Sequence, residues 1–230
     1  MLDICGLHAF YGDSHVLQGV SLTIGEGELV TLIGRNGAGK TTLLKCIIGD
    51  IDHREGKIDL NGHNLIALPP DKIARLGVGY VPEDRGIFGT LSVLENLTFP
   101  PVVGEKGWSL DRMFAVFPAL KERANQKASK LSGGEQQMLA IARVLRMGAP
   151  FILLDEPTEG LAPVIVEAIG DVLRELKASG LTILLVEQNL RFAAAVADRH
   201  NLMANGKIVR TLSNEEIVAN EKELLDELCV

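Results

Sequence analysis

The residues between Gly34 and Thr42 have the types and spacing of a phosphate-binding loop. They read Gly-Arg-Asn-Gly-Ala-Gly-Lys-Thr-Thr, which fits the pattern G-x-x-x-x-G-K-[ST] at every fixed position. Glycines let backbone N–H groups approach phosphate oxygens, the lysine supplies a compact positive charge, and the first threonine hydroxyl suits Mg²⁺. We expect nucleotide contacts from Arg35, Asn36, Gly37, Ala38, Gly39, Lys40, Thr41 and Thr42.

Two acidic residues follow a second buried segment. The apolar run 29–33 predicts a strand before the loop, residues 42–48 have helical spacing after it, and the run 151–154 predicts a strand that ends in Asp155 and Glu156. Ligands of open α/β sheets bind at the carboxyl ends of the strands, so we expect these acids beside the loop. Asp155 is predicted to hold Mg²⁺ directly or through water, and Glu156 to act on the attacking water as a base.

A third motif, residues 131–137, reads Leu-Ser-Gly-Gly-Glu-Gln-Gln and is called the signature segment below. Ser132 is predicted to cap a helix that carries Glu135 in its first turn, and a helix N-terminus with glycines attracts anions. The phosphate loop, the signature segment and the acidic pair, in this order, resemble the ATP-binding cassette (ABC) ATPases. This resemblance implies an α/β fold, a P-loop NTPase core of the ABC type with an inserted helical subdomain.

The resemblance also implies a site shared between two chains. Its signature residues, here Ser132, Gly134 and Gln136, contact ATP held by the opposite protomer, which may be the same chain or a different one. An aromatic residue near the N-terminus stacks on adenine, a role that falls to Tyr11 with Val16 close by. We expect one domain over 1–230, with an ATP-binding core at 1–84 and 150–230 and the helical subdomain at 85–149.

Three positions depart from the usual pattern of the family. Glu83 stands where a glutamine is common, Gln188 replaces a histidine, and Ala162 replaces an aspartate. One interpretation is a weakened, regulatory site. The other is that the set resembles the ATP-binding subunits of branched-chain amino-acid importers, a likeness that extends over nearly the whole chain. Glu83 is then predicted to ligate Mg²⁺, and Gln188 to hydrogen-bond a γ-phosphate or water without shuttling a proton.

Composition narrows the class of protein. The 230 residues carry a formal charge of −7 and are 47% hydrophobic, which argues against a nucleic-acid surface and allows a sizeable core. No apolar run approaches the ~20 residues of a membrane span, and no signal-peptide pattern is visible, so we expect a cytosolic chain. Cys5, Cys46 and Cys229 are predicted to be reduced thiols in the core.

The predicted function is an ATP-hydrolysing subunit that powers a multi-subunit importer of branched-chain or other hydrophobic amino acids. We expect it on the cytoplasmic face of the inner membrane, with permease subunits docking between Ile87 and Asn96 and a periplasmic substrate-binding protein as an indirect partner. Urea or short amides are alternative substrates. An exporter subunit, a soluble ABC ATPase that acts as a clamp, and a nucleotide-gated regulator remain as alternatives.

Overall fold

A computed structural model describes residues 1–104, 107–220 and 223–224, and the strands among them form two sheets. An antiparallel sheet has the order β2-β1-β4-β5, and a larger sheet has the order β10-β9-β3-β8-β7-β6. In the larger sheet all neighbours are parallel except β10, which is antiparallel to β9. The strands are β1 (Leu2–Tyr11), β2 (Ser14–Ile24), β3 (Leu29–Ile33), β4 (His53–Leu60), β5 (His63–Asn64), β6 (Val78–Val81), β7 (Phe151–Asp155), β8 (Thr182–Glu187), β9 (Arg199–Ala204) and β10 (Lys207–Ser213).

The helices lie between the strands along the chain, singly or, between β6 and β7, in succession, and the last of them follows β10. They are α1 (Lys40–Ile48), α2 (Pro70–Arg75), α3 (Val93–Thr98), α4 (Leu110–Val116), α5 (Pro118–Glu122), α6 (Gly133–Met147), α7 (Pro163–Ala178), α8 (Leu190–Val196) and α9 (Asn214–Ala219). Helices α3 to α6 lie between β6 and β7, within the segment 85–149 for which the sequence predicts a helical insertion. Within the described residues, no helix is both long enough and apolar enough to cross a membrane.

The larger sheet separates two hydrophobic cores. Every residue of β3, β7 and β8 is buried, as expected for parallel strands that are covered on both faces. Alternate residues of one strand enter different cores: Ile152 and Leu154 pack in the core that contains α6 and α7, whereas Leu153 packs in the core that contains α1 and the antiparallel sheet. This double covering fixes the carboxyl ends of the strands, where the acidic residues lie.

Helix α6 begins where the sequence predicts it. The Ser132 Oγ accepts a hydrogen bond from the Glu135 N–H at 3.4 Å, and a Glu135 carboxylate oxygen accepts one from the Ser132 N–H at 2.8 Å. This reciprocal pair is a capping box, which satisfies two backbone donors that the helix itself leaves unpaired. The predicted cap at Ser132 is therefore confirmed.

The prediction for the cysteines is partly wrong. Cys46 is buried in α1, and burial raises the pKa of its thiol to about 12, as expected of an unreactive core thiol. Cys5 is exposed, because successive residues of β1 point to opposite faces and its side chain falls on the solvent side. Cys229 lies outside the described residues.

Candidate nucleotide-binding site

A cleft of about 480 Å³ opens at the carboxyl ends of β3 and β7. Apart from Glu159, every residue that lines it is a site residue that the sequence predicts. The structure therefore brings together residues that lie up to 148 positions apart in the chain, from Tyr11 to Glu159. The lining residues are Tyr11, Val16, Asn36, Gly37, Gly39, Lys40, Thr41, Thr42, Glu83, Glu156 and Glu159.

The loop from β3 to α1 has the backbone that an anion site requires. Gly37 and Gly39 have φ angles of 80° and 106°, in the left-handed region that favours glycine. A Cβ atom on Gly39 would lie 2.9 Å from the end of the Leu17 side chain, which would have to shift, and the φ of 106° would strain any larger residue there. Helix α1 has no side-chain cap and no acidic residue in its first turn. Its N-terminal N–H groups and positive dipole end therefore remain available to phosphate.

Lys40 is 4% exposed and makes three contacts within the site. Its ammonium donates to the carbonyl oxygens of Gly34 at 2.8 Å and Arg35 at 3.1 Å, and it forms an ion pair with Glu156 Oε1 at 3.1 Å. The two carbonyl contacts hold the charge over the loop. Since an ammonium has three donors, a phosphate oxygen that binds Lys40 has to compete with one of these acceptors.

Glu156 and Gln188 are joined across the cleft. Glu156 directly follows β7 with φ 46°, a conformation that costs about 1–3 kcal/mol for a residue other than glycine. Its Oε2 accepts a hydrogen bond from Gln188 Nε2 at 2.5 Å, and the same amide lies 2.8 Å from Asn36 Oδ1. Gln188 therefore links the candidate base to the phosphate loop.

Asp155 is fully buried, and both of its carboxylate oxygens are engaged. Oδ1 accepts from the Thr41 hydroxyl and Oδ2 from the Tyr80 hydroxyl, each at 3.1 Å. Burial raises the pKa of Asp155 to about 6, although these two hydrogen bonds act to lower it. Burial and the nearby Asp155 charge also raise the pKa of Tyr80, so the phenol remains protonated and donates.

The donors at this edge fit Mg²⁺. The Thr41 hydroxyl and the carboxylates of Asp155 and Glu83 are hard oxygen ligands, and Glu83 is exposed on the wall of the cleft. Within the described residues, no three histidine, cysteine or acidic side chains lie close enough to hold a metal by themselves. A Mg²⁺ ion here would therefore complete its coordination with phosphate oxygens and water, as is usual where it binds with a nucleotide.

Sequence reasoning missed three residues of the site. Tyr80 reaches Asp155 from the neighbouring strand, Glu159 lines the cleft, and Glu187 accepts a hydrogen bond from the Thr158 hydroxyl at 2.7 Å. Burial raises the pKa of Glu187, and burial together with Glu156 and Glu83 raises that of Glu159. The position of Tyr80, near the carboxyl end of a β-patterned run, was the one available signal for its role.

The signature segment, which is predicted to contact a nucleotide on another chain, lies outside this cleft. Ser132 is exposed, and Gly134 is buried so closely that a Cβ atom on it would lie 2.9 Å from Ile165. Gln136 accepts from Arg85 Nη1 at 2.8 Å and donates to the Ala128 carbonyl at 3.3 Å. None of the three signature residues is among those that line the cleft.

Two predicted residues of the phosphate loop, Arg35 and Ala38, are not among those that line this cleft. Arg35 and Ala38 line a neighbouring cleft of about 680 Å³, which Asn36 and Gly37 share. A contact between the Arg35 side chain and phosphate is therefore not part of the geometry seen here. The Ala38 backbone is engaged within the protein, since its N–H donates to the Arg35 carbonyl at 3.1 Å and its carbonyl accepts from the Gly206 N–H at 2.9 Å.

The sheet, the phosphate loop after β3 and the acidic pair after β7 define a P-loop nucleoside triphosphatase. The chain belongs to the ABC transporter family, whose family model matches residues 17–159. It is an ATPase and the ATP-binding subunit of a transporter. The predicted fold class, with its P-loop core, is confirmed.

Curated relatives match the chain over nearly its full length. The high-affinity branched-chain amino acid transport ATP-binding protein BraG of Pseudomonas aeruginosa is 41% identical, over 96% of this chain and 97% of its own. A probable branched-chain amino acid transport ATP-binding protein LivF of Archaeoglobus fulgidus is 37% identical, over 100% and 98%. The lipopolysaccharide export system ATP-binding protein LptB of Haemophilus influenzae is 34% identical, over 92% and 90%.

Solved structures agree with this assignment. A nucleotide-free ATP-binding cassette from an ABC transporter has a TM-score of 0.84 and 26% identity, covering 100% of this chain and 98% of its own. A dimeric ATP-binding cassette in a post-hydrolysis state, bound to ADP and phosphate, has a TM-score of 0.80 and 28% identity, covering 93% and 99%.

Proposed function

We propose that this chain powers the import of branched-chain or other hydrophobic amino acids, as a peripheral subunit on the cytoplasmic face of the inner membrane. The convergence of Lys40, Thr41, Asp155 and Glu156 on one cleft carries the ATPase part of this proposal. The likeness to BraG and LivF over nearly the whole chain supports the substrate class. The relative LptB is named for lipopolysaccharide export, so the family alone does not select the cargo.

ATP binding is proposed to begin at the two ends of the cleft. Tyr11 is 48% exposed at one end, where its ring is free to stack on adenine, a contact worth about 1–3 kcal/mol. At the other end, the loop N–H groups and Lys40 receive the phosphates. When a phosphate oxygen takes the place of Glu156 on Lys40, Glu156 Oε1 loses its ion pair.

The freed carboxylate is the proposed base. Glu156 accepts a proton from the attacking water, while the Gln188 amide, held by Asn36, keeps the other carboxylate oxygen in place. Bound Mg²⁺ would be held by Thr41, Asp155 and Glu83 and would supply positive charge at the β- and γ-phosphates. Because Gln188 cannot shuttle a proton, its role is to orient Glu156 or water rather than to transfer charge.

A second ATPase subunit is proposed to complete the site. Ser132 is exposed at the N-terminus of α6 and faces none of this chain's own cleft, so it is free to meet the γ-phosphate of a nucleotide on another chain. The dimeric cassette with ADP and phosphate supports this arrangement as a property of that relative. The partner is a second copy or a related chain.

The region from Ile87 to Asn96 is the proposed docking surface for the permease. Phe88 is 43% exposed, and its ring packs edge-on against Phe99, which is 68% exposed, with 5.3 Å between the ring centroids. Neighbouring exposed aromatic rings are typical of interfaces. Asn96 is buried and bonded to the Phe88 backbone in both directions, at 2.9 and 3.0 Å, so it supports the surface rather than contacting a partner.

The proposal is tested by isolating the tagged chain from native membranes in detergent, identifying its partners by mass spectrometry and reconstituting the complex in vesicles. We expect two permease subunits, a second ATPase subunit and a periplasmic receptor. Leucine, isoleucine or valine, presented with the receptor, should stimulate ATP hydrolysis. The Glu156→Gln complex serves as the control, because it should assemble in the same way but not respond.

Three results would contradict different parts of the proposal. Recovery of soluble partners alone would exclude transport and favour a soluble clamp. A membrane complex whose hydrolysis responds to urea or a short amide, and not to the branched-chain amino acids, would leave the transporter in place and exclude the amino-acid substrate. A complex that binds ATP without turnover would identify a regulator.

A further inference from the structure

Tyr80 connects two strands of the sheet at the metal side of the site. It lies on β6, which pairs in parallel with β7 so that Tyr80 is opposite Leu153, two residues before Asp155. The phenol reaches along the sheet and donates to Asp155 Oδ2 at 3.1 Å. The other carboxylate oxygen, Oδ1, accepts from the Thr41 hydroxyl at the same distance. The two hydroxyls therefore engage different oxygens of one carboxylate.

The environment of Tyr80 fixes the direction of its hydroxyl. The ring of Tyr80 is half-buried: it packs against the core that contains α1 and lines a groove together with Ile48 and Val144. Since Asp155 is fully buried and its carboxylate accepts, the Tyr80 O–H is oriented toward the carboxylate. Tyr80 is part of a strand rather than a loop, so pairing of β6 with β7 holds the backbone that positions this hydrogen bond.

The Asp155 carboxylate needs hydrogen bonds to keep it in one orientation. The terminal torsion of an aspartate is broad, so the carboxylate group turns at little cost unless hydrogen bonds hold it. A metal ion bound with the nucleotide would engage the Thr41 hydroxyl and so weaken its hydrogen bond to Asp155 Oδ1. The Tyr80 hydrogen bond would still hold Oδ2 and so leave Oδ1 as the oxygen available to the ion.

We propose that Tyr80 is a positioning residue, which acts through Asp155 to fix the oxygen that faces Mg²⁺. This inference rests on the proposed role of Asp155. Groups that orient a metal ligand from behind are typically worth about 10–100-fold in metal affinity or activity. Loss of the phenol should therefore change how the protein responds to the metal ion and leave its contacts with the nucleotide itself unchanged.

The first test compares Tyr80→Phe with Thr182→Val. Both variants remove one hydrogen-bonded hydroxyl, but Thr182 lies at the amino end of β8, away from the cleft, where its Oγ1 accepts from the Gly27 N–H. ATP affinity is measured in EDTA and then against increasing Mg²⁺, and Mn²⁺ binding to the ATP complex is followed by electron paramagnetic resonance. For Tyr80→Phe we expect unchanged affinity in EDTA and about tenfold more metal for half-saturation. Thr182→Val should lose thermal stability alone.

Measurements of ATP hydrolysis distinguish a positioning role of Tyr80 from a general loss of structure. For Tyr80→Phe, the Mg²⁺ concentration for half-maximal hydrolysis should rise, while the rate at saturating Mg²⁺ should approach that of the wild type. In an Asp155→Ala background the same substitution should change the metal response no further. A half-saturation within twofold of the wild type, or an equal effect in both backgrounds, would overturn the proposal.

A measurement on the unaltered sequence covers the case in which Tyr80→Phe does not fold. The chain contains two tyrosines, Tyr11 and Tyr80, so fluorotyrosine labelling gives two ¹⁹F resonances, assigned with Tyr11→Phe. Adding Mg²⁺ to the ATP complex should move the Tyr80 resonance, and a stationary resonance would overturn the proposal. If the wild type binds ATP without any response to Mg²⁺, the proposed function fails instead.

Discussion

The phosphate half of the site (Lys40, Thr41, Asp155, Glu156 and Gln188) and the signature segment differ in how far one chain completes them. In the phosphate half, the buried ammonium of Lys40, the buried carboxylates and the exposed Gln188 amide bond to one another across strands β7 and β8 and the loop. In the signature segment, Ser132 is exposed and its bonds serve only to cap α6. One region is therefore bonded together within the chain, whereas the other leaves a capped helix end exposed, as the proposed contact with a second chain requires.

The largest effect is expected from Glu156→Gln in the phosphate half. A general base contributes about 10²–10⁴-fold, so hydrolysis at saturating Mg²⁺ and ATP should fall by that factor. ATP binding should persist, because glutamine keeps the shape of the side chain and Lys40 still meets the phosphates. Phosphate release in single-turnover experiments measures the first quantity and equilibrium binding the second. Retention of a tenth or more of the activity would remove Glu156 from the role of base.

A charge at Ser132 tests the signature segment without removing its helix cap. Aspartate caps as well as serine, but its carboxylate repels phosphate, so Ser132→Asp should lower hydrolysis by more than about tenfold with little change in melting temperature. ATP binding to the isolated chain should be unchanged. The matched control is Ser213→Asp, since Ser213 forms the same capping box with Glu216 at the start of α9. Equal effects of the two variants on hydrolysis would contradict the comparison.

Variants of Gln188 test whether its link between Asn36 and Glu156 contributes to hydrolysis. Gln188→Ala removes the amide that joins Asn36 to Glu156, and the loss of one hydrogen bond to a charged group predicts a fall in turnover of about tenfold or more. Gln188→His keeps a donor and should remain closer to the wild type. Steady-state turnover of the three proteins checks this order. An alanine variant as active as the wild type would show that the bridge has no part in hydrolysis.

The smallest effect concerns stability and leaves the site unchanged. His200 on β9 is buried, with Nδ1 2.7 Å from Thr31 Oγ1 on β3 and Nε2 3.2 Å from Asn214 Oδ1. Burial lowers the pKa of His200 below its ordinary value of 6.5. The unfolded chain therefore binds more protons as pH falls below 6.5, and the free energy of unfolding should decrease there by up to about 1.4 kcal/mol per pH unit.

His200→Asn provides the comparison for this pH dependence. Its denaturant unfolding should show less loss of stability between pH 6.5 and pH 5, because asparagine does not titrate. Turnover at pH 7.5 should match the wild type, since His200 lies outside the cleft. Parallel pH profiles for the two proteins would contradict the assignment of the slope to His200.

The phosphate half was predicted well from sequence because its signals are local. The loop lies directly between a β-branched run and a helical pattern, and Asp155 and Glu156 end a short apolar run. This setting predicted both strands and the helix after the loop, although α1 begins at Lys40, two residues before the predicted pattern. The capping box at Ser132 is local as well. In each case, neighbouring residues determine the structure that the pattern predicts.

The contacts that sequence reasoning missed depend on register between distant segments. The bond from Tyr80 to Asp155 requires β6 to pair with β7, and the bond from Arg85 to Gln136 joins residues 51 positions apart. The same limit applies to Cys5, whose apolar surroundings in the sequence do not show which face of β1 it occupies. Periodicity predicts that a residue lies on a strand, but the opposing partner is set by tertiary packing.

The most direct test of the account is the hydrolysis rate per chain, measured at saturating ATP and Mg²⁺ across a wide range of protein concentrations. Sedimentation of the same samples reports the state of association. If the signature segment completes the site of another chain, turnover per chain should rise with concentration, in step with association, and Ser132→Asp should abolish the rise. Constant turnover in samples that remain monomeric would show that one chain hydrolyses ATP alone, contrary to the central claim.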